Sequence, residues 1–557
     1  MSMRAAVVGS GPNGLVAACV LAQAGWEVVV YEAAEAAGGA LRSAEIFGSG
    51  LISDLGASVH PLNLASPAYQ QLLAEAGDPN PAAGVDEAPG LQWKHPQIPA
   101  AHGYDDGPPV LLHRSLEETA AGLGADGRRW KALLQPVAEN WEAVRRAAFT
   151  PPSRPYSLRG IAAEPGVGIG AGAEWGTGTG MDAEAQAESL LARTSALLQL
   201  GTRGGLPAPV TSRFFNTGRA QALFAGLAAH STAPLSRPMT SVFGVVLGAA
   251  AHASGWPVME GGSQRIVDAL LKVLQEHGGT VQTGFRVEGL HGTSAGRQRG
   301  RRRARHRGWL ISGTRVAEGK RDRHRTAEEP ADVVVLDLSP QQLLALEGLR
   351  LPGAVQRAMN RWDYGPGIVK VDYLVDGPIP WAAPELAEAG TVHLGGSAGQ
   401  IAASEAAVAR GVLPSRPYVL VTQPAAADST RTPDHRTVAW AYAHVPYGLD
   451  AAGTERAVRL MEAEIARQAP DFQQAILQRK VWGPADLQSW NRNLVGGTIS
   501  GGLPTVLQTF SRPARPLKPY TTGVDGVYLG SASTPPGGGA HGMAGWNAAH
   551  TVLRDFS

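Results

Sequence analysis

The feature that most constrains this chain is a glycine turn near its amino end, in the stretch RAAVVGSGPNGLVAACVLAQAGWEVVVYE. Residues 4–9 predict a short buried strand, and an apolar helix follows to about residue 24. Gly25 predicts a left-handed stop to that helix, and Glu27–Tyr31 predicts the next parallel strand. These elements make one complete βαβ unit.

The turn between the first strand and the helix carries the pattern G-x-G-x-x-G, which suits a bound phosphate group. Gly9 permits a tight turn, Gly11 lets the backbone approach a pyrophosphate, and Gly14 allows the helix to pack closely on the strand. The unpaired N–H groups at the start of the helix, together with the helix dipole, then face the anion. We therefore expect a dinucleotide site whose turn is formed by Gly9, Ser10, Gly11, Pro12, Asn13 and Gly14.

An acidic side chain closes this unit at the end of the second strand. Glu32 lies 18 residues beyond Gly14, where a carboxylate can accept hydrogen bonds from both ribose hydroxyls of a dinucleotide. The same negative charge would repel a 2′-phosphate, so the predicted ligand carries an unphosphorylated adenosine. The sequence shows no second dinucleotide unit, and tight use of NAD(P)H is therefore not predicted.

The residues after Glu32 distinguish FAD from NAD as the dinucleotide. The run Gly38-Gly39-Ala40-Leu41-Arg42 adds a second glycine pair with a basic residue, which an NAD domain does not require. This element resembles the second signature of the glutathione-reductase-type flavoproteins, in the branch that contains amine oxidases and phytoene desaturases. The resemblance implies FAD as the cofactor, with its pyrophosphate and ribityl chain along Gly39, Ala40, Leu41 and Arg42.

A second strong signal lies near the carboxyl end, in residues 524–550 (VDGVYLGSASTPPGGGAHGMAGWNAAH). This stretch closely resembles the C-terminal FAD motif of phytoene desaturase-like oxidoreductases, a group that includes carotenoid desaturases and isomerases. Residues 493–502 and 512–520 match the same branch, so the resemblance covers nearly the full chain. It implies flavin contacts from Gly530, Ser531, Gly542 and Met543. Many relatives carry an acid where this chain has Ser531, which implies a neutral contact to the ribityl chain.

The start of the last predicted helix could stabilise negative charge on the flavin. Gly542 and Met543 open that helix. A flavin that accepts hydride gains negative charge at N1 and C2=O. A helix N-terminus aimed at these atoms would stabilise the charge without a lysine.

Two further segments extend the resemblance. Residues 53–61 (SDLGASVHP) resemble the loop that passes beneath the flavin, which implies cofactor contacts from Gly56, Ala57 and Ser58. Residues 260–287 resemble the return of the chain into the FAD domain, where the backbone of Val287 would meet the adenine. His60 is the titratable residue of the first segment. It is interpreted either as a hydrogen-bonded loop residue or as a group that touches flavin or substrate.

The predicted fold class is α/β, with a glutathione-reductase-type Rossmann FAD domain interleaved with an α+β substrate domain of antiparallel sheet plus helices. A chain of 557 residues is too long for a single core, which favours two intertwined domains. The predicted FAD-binding domain comprises residues 1–75, 256–345 and 486–557, and the predicted substrate domain comprises residues 76–255 and 346–485.

Periodicity predicts several elements of these domains. Residues 115–148 are amphipathic and predict a helical stretch, and residues 278–287 predict a pair of strands. Alternating strands between residues 365 and 446 predict an antiparallel sheet that forms the floor of the substrate domain. Residues 184–201 and 218–253 predict apolar helices that either line a hydrophobic cavity or form ordinary core.

Composition excludes several classes of function. A net charge of +1 argues against general polyanion binding, and no nucleic-acid partner is predicted. Cys19 is the one cysteine, which excludes disulfides, Cys-based zinc sites and a dithiol relay, and no metal site is predicted. No run of about 18 or more apolar residues occurs, so we expect no membrane span and a cytoplasmic protein.

Two segments have a composition of their own. Residues 151–182 are rich in Pro and Gly and predict a mobile surface insertion or lid rather than a second nucleotide site. Residues 297–307 (RQRGRRRARHR) predict a solvated hairpin insertion. Peripheral contact with an anionic membrane is the alternative interpretation of this basic segment.

The leading functional hypothesis is FAD-dependent dehydrogenation, in the form of desaturation, of a hydrophobic or amphipathic small molecule. Hydride would pass to flavin N5, and oxygen or a quinone would reoxidise the cofactor. Such a reaction requires an oriented C–H bond, exclusion of water and in some cases a base, for which His60 and His541 are the candidates. Three alternatives stay open: a flavin amine oxidase, a flavin-dependent isomerase or saturase, and a non-catalytic FAD-binding protein.

Overall fold

The structure is a computed structural model that describes residues 2–75, 91–150, 183–293, 308–315, 325–513, 515 and 518–557. The Pro- and Gly-rich residues 151–182 and the basic residues 297–307 lie outside the described residues. The interpretations of these two segments therefore stay predictions.

The described chain contains both strands and helices. The strands are β1 (Arg4–Val8), β2 (Glu27–Tyr31), β3 (Ser43–Ala44), β4 (Ser53–Asp54), β5 (Trp93–Lys94), β6 (Ile98–His102), β7 (Val110–Leu112), β8 (Val258–Met259), β9 (Thr280–Gln282), β10 (Phe285–Gly292), β11 (Trp309–Arg315), β12 (Arg325–Ala331), β13 (Val333–Leu336), β14 (Gly367–Val375), β15 (Ala389–Leu394), β16 (Val419–Thr422), β17 (Thr437–Val445), β18 (Ile476–Trp482) and β19 (Val527–Leu529). The helices are α1 (Pro12–Gln23), α2 (Pro61–Leu64), α3 (Pro67–Glu75), α4 (Leu116–Gly122), α5 (Gly127–Glu139), α6 (Trp141–Phe149), α7 (Ala183–Gly204), α8 (Ala208–Ser212), α9 (Gly218–Ala229), α10 (Thr240–Ala253), α11 (Gln264–Glu276), α12 (Pro340–Leu344), α13 (Gly353–Asn360), α14 (Ala398–Ala409), α15 (Ala451–Ala466), α16 (Phe472–Ala475), α17 (Pro484–Trp490), α18 (Val506–Ser511) and α19 (Met543–Phe556).

A five-stranded parallel sheet, in the order β19-β13-β1-β2-β9, confirms the predicted βαβ unit. Its inner strands carry valine runs because both faces of the sheet are covered, one by α1, α11 and α19 and the other by β10, β11, α12 and α13. Helix α1 is buried along nearly its whole length, and Cys19 lies in the core formed there. Gly25, at φ +80°, ends α1 in the left-handed conformation that the sequence predicts.

The predicted strand pair at residues 278–287 is wrong in its pairing. Strand β9 joins the open edge of the parallel sheet beside β2, whereas β10 pairs with β11 in a separate antiparallel sheet of order β10-β11-β12. The chain turns between the two sheets at Gly284, whose φ is +64°. The backbone N–H groups of Gly284 and Phe285 donate to the carbonyls of Ala34 and Glu32 rather than to β9.

The second large sheet has seven strands in the order β18-β14-β17-β16-β15-β6-β7. Five of its six neighbouring pairs are antiparallel, as predicted, but β6 runs parallel to β15, so the sheet is mixed. The exception arises because β6 comes from residues 98–102, far upstream of the other central strands, and enters the sheet as a separate segment. Helix α15 packs on one face of this sheet through Val458, Met461 and Ile465.

A layer of helices adjoins this sheet. The helical stretch predicted at residues 115–148 is divided into α4, α5 and α6, because Gly124 at φ +55° and the non-helical Asn140 interrupt it. Trp130 lies at the centre of the resulting helical core with no exposed surface. Within the described ranges, no helix combines the length and apolar character needed to cross a bilayer.

One buried ion pair joins the end of β4 to the mixed-sheet unit. Arg431 Nη1 lies 2.6 Å from Asp54 Oδ2, and its Nε lies 3.1 Å from Asp428 Oδ2; the three side chains are at most 1% exposed. Arg431 Nη2 also donates to the carbonyl of Met259 at 2.8 Å. Burial by itself would raise the pKa of Asp54, but Arg431 and the hydroxyls of the neighbouring serines hold it below its usual range.

Replacing Arg431 with Met should destabilise the protein, because Asp54 would stay buried without a cation. We expect the free energy of unfolding to fall by about 3–5 kcal/mol, measured by urea denaturation followed through tryptophan fluorescence. Arg436→Met is the matched control, since Arg436 pairs with Asp434 at the surface and its loss should change stability little. Unchanged stability in Arg431→Met would contradict a structural role for the pair.

Candidate functional site

The predicted dinucleotide turn is packed so tightly that side chains are excluded from three glycine positions. A Cβ added to Gly14 would lie 1.9 Å from the carbonyl oxygen of Gly9, and one added to Gly39 would lie 2.9 Å from Gly11 Cα. Gly9 itself has φ +98°, which favours glycine. The first and second glycine signatures therefore meet at the start of α1, as a pyrophosphate cradle requires.

Glu32 lies beside this cradle at the end of β2. Its Oε2 accepts hydrogen bonds from Ser10 N at 2.8 Å and Ser10 Oγ at 2.6 Å, and its Oε1 accepts from Ala34 N at 2.8 Å. The backbone carbonyl of Glu32 accepts from Phe285 N, which places Val287 two residues further along β10. The carboxylate and Val287 thus lie in the same region, at the edge where an adenosine would extend from the cradle.

The loop after β4 packs directly on the second glycine signature. Ala57 N donates to the carbonyl of Ala40 at 2.8 Å, and a Cβ at Gly56 would lie 2.3 Å from that same oxygen. Ser58 Oγ donates to Asp54 Oδ2 inside the buried ion-pair network. Leu41 is fully buried in the parallel-sheet core, and the carbonyl of Arg42 accepts from Leu55 N.

The two ends of the chain meet through helices α1 and α19. A Cβ at Gly545 would lie 1.8 Å from the carbonyl oxygen of Asn13, and Gly545 N lies 3.5 Å from Asn13 Oδ1. Gly542 caps α19 with φ +73° and contacts Val16 of α1, while Met543 is buried. Ser531 is also buried and follows Gly530 after β19, beside the same helix. The predicted C-terminal and N-terminal cofactor residues therefore share one site.

His60 is held at both ring nitrogens. Its Nε2 lies 2.8 Å from Ser263 Oγ, and Asn63 Nδ2 lies 3.0 Å from its Nδ1. Burial lowers its pKa to about 4, and its ring packs edge-on against Trp93. These two hydrogen bonds hold the loop after β4 against the start of α11. Because both ring nitrogens are engaged, neither is free to accept a proton from a ligand. The catalytic assignment of His60 stays a prediction.

His541 is bonded to the start of α19. Its Nδ1 accepts from Met543 N at 3.2 Å, and its carbonyl accepts from Ser66 Oγ at 2.7 Å. Its ring centroid lies 5.0 Å from that of Phe149, and burial lowers its pKa to about 4. His541 therefore satisfies the first free N–H of the helix, which is the position expected of a cap. Its catalytic assignment likewise stays a prediction.

Asp337 is a carboxyl group inside the cradle that sequence analysis missed. It follows β13, and its Oδ2 accepts from Gly14 N at 3.1 Å; a Cβ on Gly11 would lie 2.6 Å from it. Burial raises the pKa of Asp337 to about 7, and the nearby charge of Glu32 contributes in the same direction. The carboxyl is therefore close to half protonated at neutral pH. The sequence signal was an acid at the end of a buried valine run.

Arg512 is a second missed residue. It is 4% exposed, donates to the carbonyls of Gly502 at 2.7 Å and Ala532 at 3.1 Å, and lies over the ring of Trp362. Burial lowers its pKa to about 10. In the described part of the chain, no carboxylate lies within ion-pair distance of it, although buried cations are usually paired. A cation in this setting fits an anionic group contributed by a ligand.

The two faces of the mixed sheet differ in character although both are buried. One face is aliphatic on its central strands and packs on α15. The other carries polar and aromatic side chains at registered positions, and we call it the polar face. Its members are His102, Lys370, Asp372, Thr391, His393, Thr422, Trp440, Tyr442 and His444. Buried polar side chains on this scale are uncommon in a structural core.

Lys370 connects the polar face to residues 53–58, which comprise β4 and the loop after it and which we call the cofactor loop. Its Nζ donates to the carbonyl of Asp54 at 3.1 Å and to Asp372 Oδ1 at 2.6 Å, and it lies 5.3 Å from the ring centroid of Trp440. Burial raises the pKa of Asp372 despite the neighbouring ammonium group. Sequence analysis passed over this pair, yet the signal was visible: Lys370 and Asp372 share one strand face within an apolar run.

A cleft of about 620 Å³ opens where β14 begins and β17 ends, and Trp362, Tyr364 and Tyr447 are among the residues that line it. Tyr447 packs on Gly496, and Trp362 packs on Gly502. Both glycines belong to residues 493–502, a stretch that matches the same flavoprotein branch in sequence. Across the described ranges we find no group of His, Cys, Asp or Glu suited to hold a metal ion.

The residues present fit FAD. The missing Cβ atoms of the glycines let the backbone approach a pyrophosphate closely. The carboxylate of Glu32 lies at the edge where the adenosine would extend. In the described part of the chain, a buried guanidinium without a carboxylate partner lies against Gly502 and Ala532, beside the C-terminal motif. Adenosine, diphosphate and flavin follow one another along FAD, so the carboxylate, the glycine cradle and the guanidinium would hold its three parts in that order.

Two curated proteins are similar to this chain over part of its length. The pyridine nucleotide-disulfide oxidoreductase domain-containing protein 2 of Rattus norvegicus is 27% identical over 321 residues, which cover 54% of this chain and 52% of the relative. The protein of the same name from Mus musculus matches to the same extent. The match spans about half the length of these relatives.

Solved structures with this fold cover the chain almost completely. An oxidoreductase from Methanosarcina mazei superposes with a TM-score of 0.56 at 14% identity, over 99% of this chain and 100% of that one. Putrescine oxidase with putrescine bound gives 0.56 at 15% identity, over 100% and 99%. Cyclohexylamine oxidase from Brevibacterium oxydans gives 0.53 at 11% identity, over 100% of both chains. At these identities the likeness shows the fold.

The family model for flavin-containing amine oxidoreductases matches residues 13–553, nearly the whole chain. That range includes the start of α1, the polar face and α19. The predicted fold class, the predicted FAD cofactor and the predicted oxidoreductase chemistry are confirmed at this level. The chain belongs to the flavin-containing amine oxidoreductase family and is a flavoenzyme with FAD as its cofactor.

Proposed function

We propose that this enzyme oxidises an amphipathic small molecule by removing hydride from a C–H bond, with oxygen or a quinone as the final electron acceptor. The observation that carries the proposal is the polar face, which is buried and lies against the cofactor loop through the contact of Lys370 Nζ with the carbonyl of Asp54. Polar groups there can orient one end of a substrate, and the neighbouring aromatic rings can hold an apolar part. A fully apolar substrate would leave these buried polar groups unsatisfied.

The side chains and backbone of this chain would hold FAD at three places. The cradle formed by Gly9, Gly11, Gly14 and Gly39 would bind the diphosphate, and Glu32 would bind the adenosine ribose. Arg512 would lie at the flavin end. When bound, FAD supplies the two-electron oxidation of the substrate. The protein contributes orientation, exclusion of water and electrostatic stabilisation.

Amine oxidation is the second candidate. The family model and two of the similar structures, putrescine oxidase and cyclohexylamine oxidase, favour it. Fold likeness at such low identity leaves the substrate undefined, since function depends on the pocket. An amine substrate would release hydrogen peroxide if oxygen is the acceptor, which separates it from desaturation through a quinone.

Anaerobic bleaching of the bound flavin tests the proposed function. The purified protein should take up FAD and absorb near 450 nm, and an amphipathic member of a panel of isoprenoids, amines and heterocycles should bleach it without added reductant. A Gly14→Val variant should fail to take up FAD, because a side chain there meets the Gly9 carbonyl. A yellow protein that no compound bleaches would favour a non-catalytic role, and activity only with reduced flavin would favour an isomerase or saturase.

The affinity for FAD should fall as the pH rises, because of Asp337. Burial raises its pKa from a usual value of about 3.9 to about 7 in the protein without FAD, so ionised Asp337 accumulates as the pH rises through 7 and its charge opposes that of the diphosphate. The diphosphate disfavours the ionised form further. We expect the Kd for FAD to rise roughly tenfold between about pH 6 and about pH 8.5, measured by flavin fluorescence quenching.

Asp337→Asn should remove most of this pH dependence, since an amide oxygen can still accept from Gly14 N. Asp268→Asn, at an exposed position of α11, is the matched control and should retain the wild-type profile. An equal slope in Asp337→Asn and in the wild type would exclude Asp337 as the titrating group.

Replacing Arg512 should make the flavin harder to reduce. The guanidinium would stabilise negative charge gained at the flavin end, and hydrogen bonds to charged groups contribute about 1.5–3 kcal/mol. We therefore expect Arg512→Met to lower the two-electron reduction potential by about 30–60 mV in a dye-equilibration titration, and Arg512→Lys to lower it less. A potential unchanged in Arg512→Met would place Arg512 away from the flavin.

A further inference from the structure

Glu405 and His444 form a buried pair on the polar face that the proposed function has not used. Glu405 lies on α14 and His444 on β17, and His444 Nδ1 is 2.8 Å from Glu405 Oε2. Both side chains are 1% exposed. The second atom of each group, Glu405 Oε1 and His444 Nε2, is buried and has no hydrogen-bond partner.

The pairing determines which ring nitrogen is free. A carboxylate only accepts hydrogen bonds, so His444 Nδ1 carries the proton and Nε2 presents a lone pair. Glu405 Oε1 presents a second acceptor on the same pair. Buried polar atoms are satisfied in the great majority of cases, by protein, water or a ligand. Two unsatisfied acceptors on one buried pair therefore fit a ligand group that donates a hydrogen bond.

Aromatic rings extend from this pair towards the cofactor loop. His444 lies 5.6 Å from the ring of Tyr442 and 5.8 Å from that of Tyr418, and Tyr442 stacks on Trp440. Trp440 is the ring over which Lys370 lies. Thr422 Oγ1 and Trp440 Nε1 are likewise buried without partners on the same face. The polar face thus combines a row of aromatic rings with several polar atoms that have no hydrogen-bond partner.

The other titratable groups near the pair do not compete for its role. Burial lowers the pKa of His230 to about 3 and that of His393 well below its usual value, and these two rings contact each other at 2.9 Å. Burial raises the pKa values of Tyr418 and Tyr442, so both phenols are neutral. Lys370 and Asp372 satisfy each other on β14. His444 is thus the histidine of the polar face that a carboxylate, Glu405, orients.

We propose that His444 is the proton acceptor for a substrate whose reacting carbon bears an O–H or N–H group, and that Glu405 is its positioning residue. The inference rests on the proposed function. The C–H bond of that carbon breaks with both electrons going as hydride to FAD, the oxidant. The O–H or N–H bond breaks with its proton going to His444 Nε2. The electron pair left on oxygen or nitrogen closes a C=O or C=N bond, and Glu405 stabilises the imidazolium.

This assignment narrows the substrate class. A hydrocarbon offers no donor to Glu405 Oε1 or His444 Nε2, so both atoms would stay unsatisfied when it binds. A primary amine has two N–H donors, one for each of these atoms, whereas an alcohol has one O–H donor, for His444 Nε2. Either group gives up a proton to Nε2 during the reaction. The arrangement follows the general pattern of a base that is oriented by a third group.

The first test is spectroscopic and needs no substrate. In FAD-loaded protein labelled with 15N-histidine, His444 should be the Nδ1–H tautomer with an unprotonated Nε2. Glu405→Gln should change its nitrogen shifts, because the charge that holds the tautomer is gone. His435→Gln is the matched control: His435 pairs with Asp376 at 2.9 Å but is 73% exposed, and its loss should leave the His444 signal unchanged. A protonated Nε2 in the wild type would overturn the proposal.

The second test compares three probes of similar size, geraniol, geranylamine and the hydrocarbon myrcene, by stopped-flow bleaching of the flavin. Geraniol or geranylamine should bleach the wild type, and His444→Gln should slow that bleaching about 100-fold or more. Glu405→Gln should slow it less while FAD still binds, and His435→Gln should leave it unchanged.

The outcomes separate the inference from the proposed function. Bleaching of the wild type by myrcene alone would keep the proposed oxidation and overturn the proton-accepting pair. Equal bleaching rates in His444→Gln and wild type with geraniol or geranylamine would also overturn the proton-accepting pair. Failure of both geraniol and geranylamine to bleach or perturb the bound flavin would overturn it as well. Failure to take up FAD at all would overturn the proposed function first.

Discussion

The buried contact between Arg431 and Asp54 is the constraint on which the geometry of this enzyme depends. Asp54 ends β4, directly before the loop that packs on the second glycine signature, and Arg431 comes from the segment between β16 and β17. One guanidinium thereby ties the cofactor loop, the carbonyl of Met259 and the substrate sheet to each other. A buried charge pair contributes little net stability but is costly to break, so it fixes relative position more than it adds binding energy.

Close backbone contact is the second organising feature. The cradle exists because glycines at Gly11, Gly14, Gly39 and Gly56 let backbone segments approach at distances that no Cβ would allow. The same device, at Gly545, lets α19 lie on α1 and brings the carboxyl end of the chain to the start of the first helix. The cofactor site is thus built mostly from main chain, and its side-chain chemistry is concentrated in a few buried charges.

The mixed sheet shows how one element can serve as both core and functional surface. Its strands alternate, so each contributes aliphatic residues to the face under α15 and polar or aromatic residues to the other. The second face is buried as well, and its polar atoms are therefore either paired, as Lys370 is with Asp372, or unsatisfied, as His444 Nε2 is. Unsatisfied buried groups cost stability, which points to selection for binding or chemistry rather than for folding.

The sequence by itself determined the FAD cofactor and the fold class, because glycine spacing, helix periodicity and strand alternation are short-range signals. It also placed the final helix correctly at Gly542 and Met543. Sequence reasoning erred on the pairing of β9 and β10 and on the parallel β6, since strand partners depend on which sheet edge is open. It named His60 and His541 as candidates for proton handling; both ring nitrogens of His60 and Nδ1 of His541 are bonded to the protein.

Only the tertiary structure decided which charged groups are paired and which are free. Asp54 and Arg431 are 377 residues apart, and Glu405 and His444 are 39 apart on a helix and a strand, so no local pattern marks either pair. Nothing in the sequence around Arg512 indicates that its side chain is buried without a carboxylate partner in the described part of the chain. Partner choice is a matter of sheet register and domain packing. The sequence therefore indicates the cofactor and the fold class, and the tertiary structure decides which buried side chains are paired.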